Sequence, residues 1–242
     1  MKRHIFHYDI HEVAPYIDWG YFLHAWGVRT SQKAEAEELI DDAKKMLLSL
    51  EGRYRTHALF AMCNAHSRGD NMIIEGTTLP LLRQQHCHEG EYNFCLSDFV
   101  SPREDKIGVF ATTVDSTFGH EYKHDEYLNI IAQELADRLA EATATVMHRA
   151  VRTKKDLWGY APDERLTVEE LNREEFQGIR PAVGYPSLPD QSVIFILDDI
   201  LHLNGIGIEL TPNGIIDKMM EYDEYITSEH IKEMRARMYG DK

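Results

Sequence analysis

From Lys123 to about Asp156, Leu128, Ile131, Leu135, Leu139, Ala142 and Val146 recur every three or four residues, with no proline or glycine to interrupt them. That period is the helical one, and it draws a single apolar stripe along the longest helix of the chain. Such a stripe must be laid against another layer, because an amphipathic helix is stabilised mainly by what covers its apolar face. Strands are available to cover it. Ile107 to Val114 is β-branched, aromatic and short, the clearest strand candidate. Ala58–Met62 and Met72–Glu75 are apolar runs joined by Ser67-Arg68-Gly69-Asp70-Asn71, which predicts a hairpin or a strand-turn-strand unit. The Arg-Gly-Asp within it reads as turn chemistry. Ile5 to His11 alternates imperfectly, as an edge strand or an extended arm would. Helices and short strands mix irregularly, so the expected class is α+β: a long central helix packed on a mostly antiparallel sheet. A chain of 242 residues is long enough for one sizeable core, and residues 1–242 are read as one domain.

Four further helices are predicted. Leu39, Ala43, Met46, Leu47 and Leu50 give Gln32 to Leu50 one core face. Asp190 or Ser192 caps a helix running to Leu203 and stopping at Asn204-Gly205, and Thr227 to Met238 forms a last amphipathic helix. Thr167 to Phe176 adds a short acidic helix with Glu170 three residues after its cap, and Trp158 to Pro162 is an aromatic turn.

Charge and cysteines narrow the function classes. The formal charge of −15, from 41 acidic and 26 basic residues, argues against a nucleic-acid or anionic-membrane partner, since both require clustered Lys and Arg. Cys63, Cys87 and Cys95 lack CxxC spacing and read as reduced thiols of a cytoplasmic protein. The basic start, Met1 to His4, is not followed by an apolar segment, so neither a signal peptide nor a bilayer span is expected. His86-Cys87-His88 invites a metal reading, but consecutive side chains diverge on a strand or a helix, and no metal site is assigned there.

Gly178 to Gln191 holds three prolines and two glycines in fourteen residues and so excludes a helix or a regular strand. An ordered, kinked loop is expected. Arg180 can fork onto a carboxylate, and Tyr185 offers an apolar face with a terminal hydroxyl, a combination suited to a small zwitterionic ligand. A rigid connector capping a helix end is the alternative for such a loop taken alone. Asp18, set between Ile17 and Trp19, is either a helix N-cap or a functional carboxylate. Glu141 lies about 120° from the stripe of the long helix, either as a solvated flank residue or facing a groove beside it.

Gly178-Ile179-Arg180-Pro181-Ala182-Val183-Gly184-Tyr185-Pro186 is similar to the signature of the activation domain of cobalamin-dependent methionine synthase, which binds S-adenosylmethionine. Tyr16-Ile17-Asp18-Trp19 with Phe22 and Trp26 resembles the opening of that domain, and Tyr92 to Val100 its central segment. Asp137-Arg138-Leu139-Ala140-Glu141-Ala142 and Leu157 to Pro162 resemble two further blocks, in the family's order. The likeness covers roughly residues 13–213 and leaves 214–242 divergent, where Ile215 to Tyr225 stands in place of a Pro, Ala, Ser and Gly-rich segment. Gln191 takes the place of a usual histidine.

The resemblance implies a ligand set of Asp18, Glu141, Arg180, Ala182 and Tyr185, with S-adenosylmethionine bound and cobalamin carried by a partner chain. Arg180 would take the ligand's carboxylate, Asp18 its ammonium, Ala182 the adenine edge, and Tyr185 and Glu141 the neighbourhood of the sulfonium. No Gly-x-Gly-x-x-Gly follows a strand, so the nucleotide is not held in the doubly wound manner. The implied function is an activation subunit that stands alone and reactivates a methionine synthase chain by reductive methylation of cob(II)alamin, with flavodoxin or another reductant as electron donor. The alternatives are an S-adenosylmethionine-binding or sensing module without cobalamin contacts, and a reactivation partner of another corrinoid methyltransferase.

Overall fold

The structure, a computed structural model, describes residues 1–28, 32–85, 92–155 and 180–210. Its centre is a five-stranded antiparallel sheet. The strands are β1 (Arg3–Asp9), β2 (Arg55–Arg68), β3 (Asn71–Ile74), β4 (Thr77–Pro80) and β5 (Asp105–Val114). The long β2 is the spine. One of its edges carries β1 from Arg55 to Ala61 and then β3 from Ala65 to Arg68, and the other carries β5 from Thr56 to Ala65. The expected hairpin is present, with Gly69 at φ 60° in its turn, a backbone geometry glycine adopts without steric cost. β1 begins earlier than the alternation suggested, and its expected last residues, Ile10 and His11, belong instead to the short helix α1 (Ile10–Val13).

The two faces of β2 alternate as the pleat requires. Ala58 and Phe60 face Met147 and Val151 of the long helix α4 (Glu126–Lys155). Gly108 is needed on that side, because a Cβ there would lie 2.7 Å from the Phe60 ring. Leu59, Ala61, Cys63 and Ala65 face the other way, onto Leu188 and the buried residues Val193, Ile200 and Leu201. Those three belong to α5 (Val193–Leu201), which is shorter than the expected helix and is followed by a separate 3-10 turn at Leu203–Ile206. Asp190 shapes its start by accepting from the amide and the hydroxyl of Ser192, at 2.9 and 2.7 Å.

α4 has a second apolar side nearer its start. Ile131, Leu135 and Leu139 are fully buried against α2 (Trp19–Ala25) and α3 (Lys33–Leu50) through Phe22, Trp26, Leu39, Ala43 and Leu50. Trp26 meets Tyr127 edge to face at 5.6 Å, and the Tyr127 hydroxyl donates to the buried carboxylate of Asp42 on α3. On the sheet's far corner Arg83 grips Asp98 with two parallel hydrogen bonds and also reaches Asp70 and the Asn93 carbonyl. That fork fastens the segment containing Tyr92 to Val100 onto the β2–β3 turn and holds the Asp98 carboxyl below its ordinary range. Among the described residues no helix is long and apolar enough to cross a membrane.

Trp158–Pro162, Thr167–Phe176, Ile215–Tyr225, Thr227–Met238 and His86-Cys87-His88 lie outside the described residues. The fold's reliance on α4 predicts that Leu135→Ala, which opens a void where no water reaches, lowers unfolding free energy by about 2–5 kcal/mol in chemical denaturation.

Candidate functional site

Asp18 is the N-cap of α2. Its Oδ1 accepts from the amides of Gly20 at 2.8 Å and Tyr21 at 3.2 Å. The two readings of this residue are compatible, because both cap bonds fall on one carboxylate oxygen and the side chain is exposed. The helix dipole also favours a negative charge at this end. Gly20 is fitted to the cap: a Cβ there would lie 3.0 Å from Asp18 Oδ1.

The surroundings of Asp18 are set by two arginine–tyrosine contacts. Tyr16 lies under the Arg149 guanidinium at 4.8 Å from Cζ, and Tyr21 under that of Arg138 at 6.0 Å. The backbone from Tyr16 to Tyr21 therefore runs beside the α4 turns between those arginines. Asp18 sits midway along it, and the half-buried Glu141 lies on the α4 stretch alongside. Asp18 and Glu141 thus stand on neighbouring elements, with the Arg138 and Arg149 guanidiniums along the same stretch.

The loop carrying the other three residues is ordered by its own hydrogen bonds. Gly184 N donates to the Leu188 carbonyl at 2.9 Å, Tyr185 N to the Ala182 carbonyl at 3.2 Å, and Leu188 N to the Tyr185 carbonyl at 2.8 Å. Gly184 stands at φ 90°, deep in the left-handed region, so a side chain there would strain the turn. Leu188 is buried and, with Val183 beside it, anchors the loop in the core on the face of the sheet opposite α4. Arg180 and Ala182 are half-buried, and Tyr185 keeps 48% of its surface exposed, which leaves a flat aromatic face accessible. Asp18 and Glu141 share a neighbourhood around α4, while Arg180, Ala182 and Tyr185 share the loop.

One ion pair in this region carries no distinguishing mark in the sequence. Glu134 and Arg138 bring Oε1 and Nε to 3.0 Å with both side chains largely buried. The contact is an ion pair between successive turns of α4. Burial pushes the Glu134 carboxyl up to about 6; the Arg138 charge opposes this rise and the Asp137 charge adds to it. The i, i+4 spacing was visible, but it is shared by many solvated helix pairs.

Two comparisons bear on the whole arrangement. A family model described as vitamin B12 dependent methionine synthase, activation domain, matches residues 9–219. A solved structure described as the MetH reactivation domain bound to AdoHcy superposes with a TM-score of 0.71 at 33% sequence identity, covering 88% of this chain and 74% of that one.

The double role of Asp18 can be separated. Asn caps a helix about as well as Asp, so Asp18→Asn should leave thermal stability unchanged while removing the charge, whereas Asp18→Ala should lose about 1 kcal/mol. Thermal denaturation of both variants measures the difference.

Proposed function

Because the chain belongs to the activation-domain family of vitamin B12-dependent methionine synthases, we propose that it binds S-adenosylmethionine and presents it to the cobalamin of a methionine synthase for reactivation. The observation that carries this reading is the likeness to a reactivation domain bound to AdoHcy, at an identity and coverage that extend over most of both chains. AdoHcy is S-adenosylmethionine less its sulfonium methyl, so a site that holds one is shaped for the other.

The donor set of this chain suits the ligand. The Arg180 guanidinium is the only charged donor of the five and takes the methionine carboxylate with its fork. Asp18 takes the ammonium with the carboxylate oxygen left over from its cap. Glu141 faces the sulfonium, whose positive charge a carboxylate favours, and the Tyr185 ring covers it. The backbone of Ala182 meets the adenine edge. A ligand held by both the α2–α4 flank and the proline-rich loop would have its length and direction fixed, and with them the place of its methyl.

When bound, S-adenosylmethionine would supply an activated methyl group and leave as S-adenosylhomocysteine, and the one electron that methylation of the partner's cob(II)alamin requires would come from flavodoxin or another reductant. The chain's contribution is orientation, exclusion of water from the sulfonium, and charge complementarity. The cobalamin unit is a separate partner in this reading, and Ile215 to Tyr225 is the stretch whose departure from the family bears most on how that partner docks.

Calorimetric titration of S-adenosylmethionine into the wild type and Arg180→Ala tests the assignment. Loss of the charge-assisted pair should weaken binding at least tenfold, a difference of about 1.5–3 kcal/mol. Equal affinity in the two proteins would remove Arg180 from the site.

A further inference from the structure

His7 and His57 are 50 residues apart in the chain and opposite each other in the sheet. They are a register pair of the antiparallel strands β1 and β2, and side chains of such a pair stand on one face. The two rings meet edge to face, with 4.9 Å between centroids and 81° between planes, and their Nδ1 atoms approach to 2.7 Å. Nitrogen against nitrogen is a contact that a single proton holds: one ring donates and the other offers a lone pair.

Asp115 decides which ring does which. Its Oδ1 accepts from His57 Nε2 at 2.8 Å, so the proton of the neutral ring stays on Nε2 and its Nδ1 is left as a lone pair. His7 Nδ1 is then the donor. The Asp115 carboxylate is itself fixed, because its Oδ2 accepts from the Arg55 amide at 2.7 Å while the Asp115 amide donates to the Arg55 carbonyl at 3.0 Å. The nearby Arg55 guanidinium is taken up by Asp9 at 2.9 Å. A carboxylate that holds one imidazole nitrogen and turns the other toward an open point is the arrangement that orients metal-bound histidines.

We propose that His7 Nδ1 and His57 Nδ1 together bind one divalent transition-metal cation of the zinc type, with Asp115 as the positioning residue for His57 and water completing the coordination. The proton between the rings lies where the ion would sit. On binding, that proton passes through solvent to His7 Nε2, and both Nδ1 lone pairs then point at the metal. Two zinc–nitrogen bonds at a tetrahedral angle put their nitrogens roughly 3.3 Å apart, so the pair must part by about 0.6 Å. His7 supplies that movement, being exposed and on a strand paired only to β2, whereas His57 is largely buried and held by Asp115. Among the described residues no group of three or more His, Cys, Asp or Glu side chains converges on one point, so this is an open site with two protein ligands. Imidazole ligands select zinc, nickel or copper over magnesium and calcium. The bound ion would also staple β1 to β2.

Calorimetric titration of Zn²⁺ into the chelator-stripped chain, beside His7→Gln, His57→Gln and Asp115→Asn, tests the site. The wild type should take up one equivalent that both histidine variants hold at least tenfold more weakly, and Asp115→Asn should weaken it about tenfold. Mg²⁺ should not compete for it. Zn²⁺ should raise the unfolding temperature of the wild type and leave that of His7→Gln unmoved, while the two metal-free proteins unfold alike because His7 is exposed. Equal Zn²⁺ affinity in the wild type and either histidine variant would overturn the proposal by assigning the ion to others of the chain's 13 histidines. A wild type that takes up no Zn²⁺ would overturn it as well, and unchanged affinity in Asp115→Asn would overturn the orienting role of the carboxylate.

Discussion

The stripe of α4 is buried twice over, and the rest of the structure follows from that. Toward its start Ile131, Leu135 and Leu139 are sealed by α2 and α3, and toward its end Met147 and Val151 lie on Ala58 and Phe60 of the sheet. One rigid element thereby joins two cores. Nothing short would do this: the helix must outreach one layer in order to lie under the next, and any proline or glycine in it would break the join. The flank left outside both cores is where Glu141, Arg138 and Glu134 stand.

The same packing sets where the two groups of proposed ligand residues stand. α2 is pressed onto α4 by Phe22, Leu23 and Trp26, and its N-terminus delivers Asp18 to the helix flank. The proline-rich loop is pressed onto the opposite face of the sheet by Leu188 and held in shape by its own backbone bonds. Neither part needs the ligand to be ordered. A site assembled in this way costs little conformational entropy to fill, since its side chains already stand on fixed backbone.

Much of this was legible because it is periodic or compositional. The α4 stripe, the α3 face and the β2–β3 turn are read from spacing and turn residues, and the kinked loop from its prolines and glycines. Asp18 was legible as two alternatives, cap or ligand, and the structure shows the cap, made through one carboxylate oxygen. What escaped has no period. β4 is four residues long and ends in Pro80, too short to alternate visibly. Arg83 reaches Asp70 and Asp98 across gaps of 13 and 15 residues, and only the folded hairpin brings them together. The upward shift of the Glu134 carboxyl is likewise a matter of burial, which spacing alone does not give. The five proposed ligand residues were named by family resemblance, and no property of the isolated residues would have joined Asp18 to Tyr185.

The most direct measurement of the central claim is hydrogen–deuterium exchange with and without S-adenosylmethionine, followed in peptides covering the whole chain. If the helix flank and the proline-rich loop hold one ligand, its addition slows exchange together in the peptides containing Asp18, Glu141 and Arg180 to Tyr185, and leaves the Arg83 corner unchanged. Protection of the loop without the flank, or of neither, would contradict a single site built on both.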